Sequence, residues 1–152
     1  MDCDGVLTDG RLYFSENGEA MKAFHVRDGQ GIISWHDAGF ASGIISGRDA
    51  GAIIKARADE LGIKYVRVCS KAKVKDFQDI IADAGVTASE TAFIGDDIGD
   101  LKIMKLVGLP IAVADAVDEV KAAAKYITKK KGGEGAVREV IDMLLNAEAR
   151  TK

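Results

Sequence analysis

Short apolar runs alternate with amphipathic helical patterns through most of this chain, and few folds accept that order. Residues 40–45 (FASGII) predict a buried strand, and Asp49 is placed to cap a helix carrying Ile53, Ile54 and Leu61. Residues 65–68 read as the next strand. Val74, Phe77, Ile80, Ile81 and Ala84 then recur at the spacing of one helical face. Residues 91–94 predict a further strand, followed by a helix through Leu101, Met104 and Leu106 that ends at Gly108. Residues 109–113 predict a short strand, and a last helix runs from about Ala136 to Leu145. Strands separated by helices in this way form a parallel sheet with helices on both faces. The expected class is α/β: a Rossmann-like parallel sheet flanked by helices, in one domain over residues 1–152.

One segment breaks the alternation. Residues 11–15 and 19–26 read as two strands around Asn17-Gly18, a strong hairpin turn signal. The hairpin, at about 11–26, carries Tyr13, Phe14 and Phe24 outside the parallel sheet. Such aromatic surface needs a cover, and a contact between copies of the chain is expected.

Composition removes several function classes. The net charge is −3, and the basic run at residues 129–131 reads as a solvated loop, so no nucleic-acid partner is expected. Cys3 and Cys69 make no disulfide framework, and neither is followed by an arginine at the spacing of cysteine phosphatases. No apolar run reaches membrane-spanning length and no signal-peptide pattern opens the chain, so a cytoplasmic protein is expected.

The chemistry concentrates in two acidic segments. Asp2 and Asp4 lie in MDCDGVLTDG, and Asp96 and Asp97 lie in AFIGDDIGD. Closely spaced carboxylates suit a hard cation with oxygen ligands, and Asp2, Asp4 and Asp96 are the expected ligands of Mg²⁺. Asp2 is the candidate nucleophile towards phosphorus. Asp4 is placed to protonate a leaving alkoxide and then deprotonate water. Ser46, ending a strand in IISGRD, can hold a phosphoryl oxygen, and Lys73 can neutralise the phosphoryl charge. Lys71 and Lys75 compete with Lys73, and spacing alone does not choose. Asp97 or Asp100 would steady the lysine or the water ligands. All these segments fall just past predicted strands, where parallel sheets bind their ligands. Singly, each residue has a plainer reading as a cap, a turn or a solvated lysine; the combination in order outweighs it.

The runs DCDGVLTDG, IISGRD, Lys73 and FIGDD resemble, in order, the four motifs of the haloacid dehalogenase superfamily of phosphatases. NGEAMKAFHVRDGQGI, VGLPIAVADA and GGEGAVRE further resemble its small capless branch, which includes the 3-deoxy-D-manno-octulosonate 8-phosphate phosphatases. The resemblance implies Mg²⁺-dependent hydrolysis of that sugar-acid phosphate through an aspartyl-phosphate, in lipopolysaccharide biosynthesis. It implies a homotetramer with hairpins packed at its centre and each site covered by a neighbour, there being no cap domain. It implies that Val26, Arg27, Asp28 and Gly29 help form the substrate site, and that Arg48 and Arg57 meet the sugar acid. Arg48 stands where a sister phosphatase for a nine-carbon acid has a glutamate. The resemblance selects Lys73 over its neighbours. It brings the segment from Gly132 to Arg138 towards a site as a mobile element. It also implies an apolar strand before the nucleophile; only Met1 precedes Asp2, so residues upstream of Met1 are expected. Two other readings remain: a phosphatase of another keto-deoxy sugar acid phosphate, and a non-catalytic assembly module like the domains fused to cytidylyltransferases.

Overall fold

The computed structural model describes residues 1–150. The chain runs β1 (Tyr13–Ser15), β2 (Gly18–Met21), α1 (Val26–Asp37), β3 (Gly43–Ile45), α2 (Gly51–Leu61), β4 (Tyr65–Arg67) and α3 (Lys73–Ala84). It continues through β5 (Ala92–Gly95), α4 (Leu101–Met104), β6 (Leu109–Ala112), α5 (Asp118–Ala123), β7 (Tyr126–Ile127) and α6 (Ala136–Ala149). The parallel strands form two pieces, β3 with β4 and β5-β6-β7. The backbone at Met1 and Asp2 spans the gap between them. The Met1 amine donates to Gly43 O at 3.0 Å and Ile45 N donates to Met1 O at 3.0 Å; Asp2 N donates to Ile94 O at 3.0 Å. Asp2 is thereby held on the midline of the sheet, between the carboxyl ends of β3 and β5.

Two groups of helices flank the strands, α1 with α2 and α6, and α3 with α4 and α5. A contiguous core joins them through Ile32, Ile44, Ile54, Phe93, Ile103, Ile111, Val120 and Val137, all nearly inaccessible. α3 follows the expected periodicity, burying Phe77 and Ile80, and ends at Gly85, whose φ of +70° supplies the left-handed cap. α1 and α6 meet closely because Gly31 has no side chain; a Cβ there would lie 3.0 Å from Arg138 Cδ. α6 has no side-chain cap of its own at Gly135. Asp28 of α1 supplies one across the interface, accepting from Arg138 N at 2.8 Å.

Four local expectations are corrected. Strand β3 starts at Gly43, not at residue 40, because Phe40 stacks on Trp35 of α1 with ring centroids 4.2 Å apart. Asp49 does not cap α2; the cap position is Ala50, and the Asp49 carboxylate turns to Cys69 instead. The hairpin is shorter than expected and its register pairs Ser15 with Gly18, so the two-residue loop is Glu16-Asn17. The fourth helix stops at Met104, leaving Leu106 half exposed. α1, α5 and β7 were not foreseen.

Candidate active site

The loops after Asp2, β3 and β5, together with the start of α3, converge on a charged cleft of about 330 Å³. Its walls include Asp2, Asp4, Arg48, Lys73, Asp96 and Asp100. A larger cavity of about 400 Å³ lies elsewhere between β3 and β5 and is lined mainly by apolar side chains, including Ile32, Phe77 and Phe93. It carries none of these charges.

Two glycines let the carboxylates crowd together. Gly5 has φ +85°, and a Cβ on it would sit 2.0 Å from Asp96 Oδ2. A Cβ on Gly95 would lie 2.7 Å from that of Asp100. The glycine loop at 132–133 seats on the same turn, with Gly133 N donating to Val6 O at 3.0 Å and Gly132 N to Asp115 Oδ1 at 3.0 Å.

Asp2 is buried; its Oδ1 accepts from Cys3 N at 2.8 Å and its Oδ2 lies 3.1 Å from Lys73 Nζ. Lys73 also donates to Asp100 Oδ1 at 2.9 Å, and Asp100 Oδ2 accepts from Asp96 N at 3.1 Å. Asp2, Asp96 and Asp100 each offer an oxygen within 4.8 Å of the others. Asp96 Oδ1 is buried without a hydrogen-bond partner. Burial, then the charges of Asp2, Asp100 and Asp97, push Asp96 up to about 7, with Lys73 offsetting part of the rise. Burial and Asp100 raise Asp2 to about 6 against the pull of Lys73 and the Cys3 N–H. Burial alone would lower the Lys73 ammonium, but Asp2 and Asp100 hold it above its ordinary value. An orphaned oxygen and three crowded acids with one lysine fit a divalent cation with oxygen ligands.

A second charged group adjoins the first. Asp4 pairs through Oδ1 with Lys22 Nζ and accepts from Ser46 Oγ at 3.2 Å on Oδ2. Lys22 also donates to Glu19 Oε1 at 2.6 Å, and Arg48 Nε donates to Glu19 Oε2 at 3.3 Å. Burial works to raise Glu19, but Lys22 and Arg48 outweigh it and hold the carboxyl below its usual range. Lys22 and Glu19 were missed in the sequence.

Asp2, Asp4, Ser46, Arg48, Lys73, Asp96 and Asp100 are thus brought together. Lys71 is exposed and Lys75 pairs with Asp79, so of the three lysines Lys73 alone meets the acids. Three placements bear on the expected roles. Asp2, Asp96 and Asp100 form the side-chain set able to meet one cation, while the Asp4 carboxylate is engaged by Lys22 and Ser46. Asp97 is exposed and caps its own turn through Ile98 N at 2.8 Å rather than touching Lys73. The Asp28 side chain is 1% exposed beneath α6 and caps that helix. Val26, Arg27, Gly29 and Arg57 do not line the cleft of their own chain. Arg57 instead covers Phe24 at 5.6 Å and pairs with Glu60 at 2.8 Å.

The haloacid dehalogenase-like hydrolase profile matches residues 69–141. The 3-deoxy-D-manno-octulosonate 8-phosphate phosphatase of Haemophilus influenzae is 45% identical over 150 residues, covering 99% of this chain and 83% of its own length. That of Escherichia coli K12 is 41% identical over 150 residues, covering 99% and 79%. The cobalt-bound Haemophilus influenzae deoxy-D-mannose-octulosonate 8-phosphate phosphatase superposes with a TM-score of 0.94 at 46% identity, covering 97% of this chain and 86% of that one. The Moraxella catarrhalis 3-deoxy-D-manno-octulosonate 8-phosphate phosphatase, solved with magnesium ion, phosphate ion and KDO, gives a TM-score of 0.91 at 37% identity, covering 96% and 83%.

Proposed function

The chain belongs to the haloacid dehalogenase-like hydrolases and is a phosphoric monoester hydrolase, and from that premise we propose that it hydrolyses 3-deoxy-D-manno-octulosonate 8-phosphate. The observation that carries the reading is the lysine-bridged set Asp2–Lys73–Asp100 beside Asp96, with Asp4 and Arg48 at its edge. Relatives at 41–45% identity over almost the whole chain bear the name of that activity.

Asp2 attacks phosphorus in line; its oxygen gains a bond to phosphorus as the bond to the ester oxygen breaks. Asp4, protonated, gives its proton to that leaving oxygen. Water then attacks the aspartyl-phosphate, Asp4 takes back a proton, and phosphate leaves with Asp2 regenerated. Lys73 offsets charge on the phosphoryl oxygens throughout, and Ser46 steadies Asp4. Asp2, Asp96 and Asp100 would hold Mg²⁺, which supplies further neutralisation of the phosphoryl group. The Arg48 Nη atoms, beyond the Nε bond to Glu19, suit the carboxylate of the sugar acid.

Assembly as a homotetramer is part of the same reading. Leu12, Phe14, Met21 and Val26 are 45%, 63%, 53% and 77% exposed, and all lie in or beside the hairpin. Packing hairpins together would cover them and bring Val26, Arg27 and Gly29 of one copy to the cleft of another. The deciding measurement is kcat/KM across a panel of phosphorylated sugar acids with Mg²⁺. The eight-carbon substrate is expected to lead, and Asp2→Asn to abolish phosphate release. Equal turnover by Asp2→Asn removes the mechanism, and a different best substrate removes the assignment.

A further inference from the structure

Lys22 lies just past β2, in a hairpin otherwise rich in exposed residues, yet its side chain is wholly inaccessible, and that of Glu19 is 3% exposed. Neither belongs to the cation-capable carboxylates or touches Lys73. A buried ammonium is costly unless every partner is well placed. Here the partners close a ring. Lys22 Nζ meets Asp4 Oδ1 and donates to Glu19 Oε1 at 2.6 Å. Glu19 Oε2 accepts from Arg48 Nε at 3.3 Å. Arg48 N donates to Ser46 Oγ at 3.2 Å, and Ser46 Oγ donates to Asp4 Oδ2 at 3.2 Å. Phe14, also from the hairpin, lies 6.0 Å beneath the Arg48 guanidinium.

We infer that Lys22 and Glu19 are positioning residues: Lys22 fixes the Asp4 carboxylate, and Glu19 ties Lys22 to Arg48 and aims its guanidinium at the substrate carboxylate. This rests on the reading of Asp4 as acid and base. Without Lys22, Asp4 Oδ1 loses its ion-pair partner, while Oδ2 keeps only Ser46. Without the Glu19 charge, Arg48 can swing on its flexible stem. The ring therefore joins the group that recognises the acid end of a substrate to the group that protonates its leaving oxygen. Glu19 and Lys22, which make the join, come from β2 and the residue just past it.

The test separates this role from mere support. Purified full chain is assayed with 3-deoxy-D-manno-octulosonate 8-phosphate, whose alkoxide needs a proton to leave, and with p-nitrophenyl phosphate, whose phenolate does not. K22M is expected to lower kcat about 100-fold on the first and under about fivefold on the second, the size of a general-acid contribution. K22R, which keeps the charge, is expected to restore most of the loss. E19Q is expected to raise KM about tenfold for the carboxylated substrate only, the size of a charged hydrogen bond displaced. Thermal unfolding confirms that each variant folds; should K22M not fold, K22R and E19Q carry the test. Equal losses on both substrates, or a K22R protein no better than K22M, overturn the inference. D4N is the reference. If D4N shows the leaving-group bias and K22M does not, only the positioning role falls. If D4N shows no bias, the acid role of Asp4 falls and the positioning role with it.

Discussion

Magnesium affinity is expected to weaken as the solution is acidified across the neutral range. Carboxylate ligands must shed their protons before they bind a cation. Burial and mutual repulsion raise Asp96 to about 7 and Asp2 to about 6, so the cluster titrates where affinity can be measured. Taken as two steps of one coupled cluster, it holds about 1.4 protons at pH 6 and about 0.1 at pH 8. The apparent Kd scales with the product of the two protonation factors, which is about 20-fold larger at pH 6, or about 2 kcal/mol. Titration calorimetry in buffers of different ionisation enthalpy reads both the Kd and the protons released. The effect on stability has the matching sign. In metal-free protein these acids hold protons that the unfolded chain, with carboxyls near 3.8, has already lost. The stability they contribute is fully present below pH 3.8 and is lost as pH rises through about 6 and 7. Magnesium should offset that loss, so its gain in Tm is expected to be larger at pH 8 than at pH 6. A Kd that stays constant from pH 6 to pH 8, with no proton released on binding, would refute the claim that crowding and burial hold protons on the cluster.

Gly5→Ala is expected to lower stability by about 1–2 kcal/mol for the left-handed backbone alone. It should also weaken magnesium binding, because its Cβ would occupy the place of Asp96 Oδ2; urea unfolding and calorimetry check the two effects. Asp28→Ala removes the cap of α6 and should cost about 1–2 kcal/mol in urea unfolding. Gly108→Ala would bring a Cβ to 2.0 Å from the Ser89 carbonyl oxygen, with a cost of about 1–3 kcal/mol read as a fall in Tm. Phe14→Asp combined with Met21→Asp places charge on the exposed hairpin face; sedimentation should show smaller assemblies than the unaltered chain forms.

Legibility in the sequence followed the range of the interactions concerned. β4, β5, β6, α3 and α6 are visible because a run or a 3.6-residue stripe of apolar side chains is a local property. α1 is not visible, because Gly29 and Gly31 lower its helical propensity. Those glycines serve neighbours distant in sequence: a Cβ at residue 29 would lie 2.4 Å from Arg57 Nη2, and one at residue 31 would press on Arg138. β7 and α5 are too short to show a period. Asp2 and Asp96 are legible as motifs. The approach of Asp100 to Asp2 and Asp96, and the pairing of Asp4 with Lys22, are not, since the first depends on Gly95 admitting Asp100 and the second on the fold of the hairpin. Lys22 looks like any surface lysine until the hairpin folds over the loop that carries Asp4.

The two charged groups differ in balance, and that difference divides the labour of the site. Asp4 and Glu19 face Lys22 and Arg48, two acids against two bases, and every carboxylate oxygen named has a donor. Within this half Glu19 and Lys22 favour their charged forms, as the lowered Glu19 and raised Lys22 reflect. Asp2, Asp96 and Asp100 face Lys73 alone, leaving two negative charges unbalanced and one buried oxygen without a donor. Here the carboxyls cling to protons instead. On the proposed mechanism a divalent ion would restore neutrality to this half only, and a phosphate dianion approaching Asp2 would be repelled until it did. A nucleophile must be reactive where the fold leaves charge unmet, whereas an acid and a recognition group must be still. The sheet midline supplies the first condition and the hairpin supplies the second.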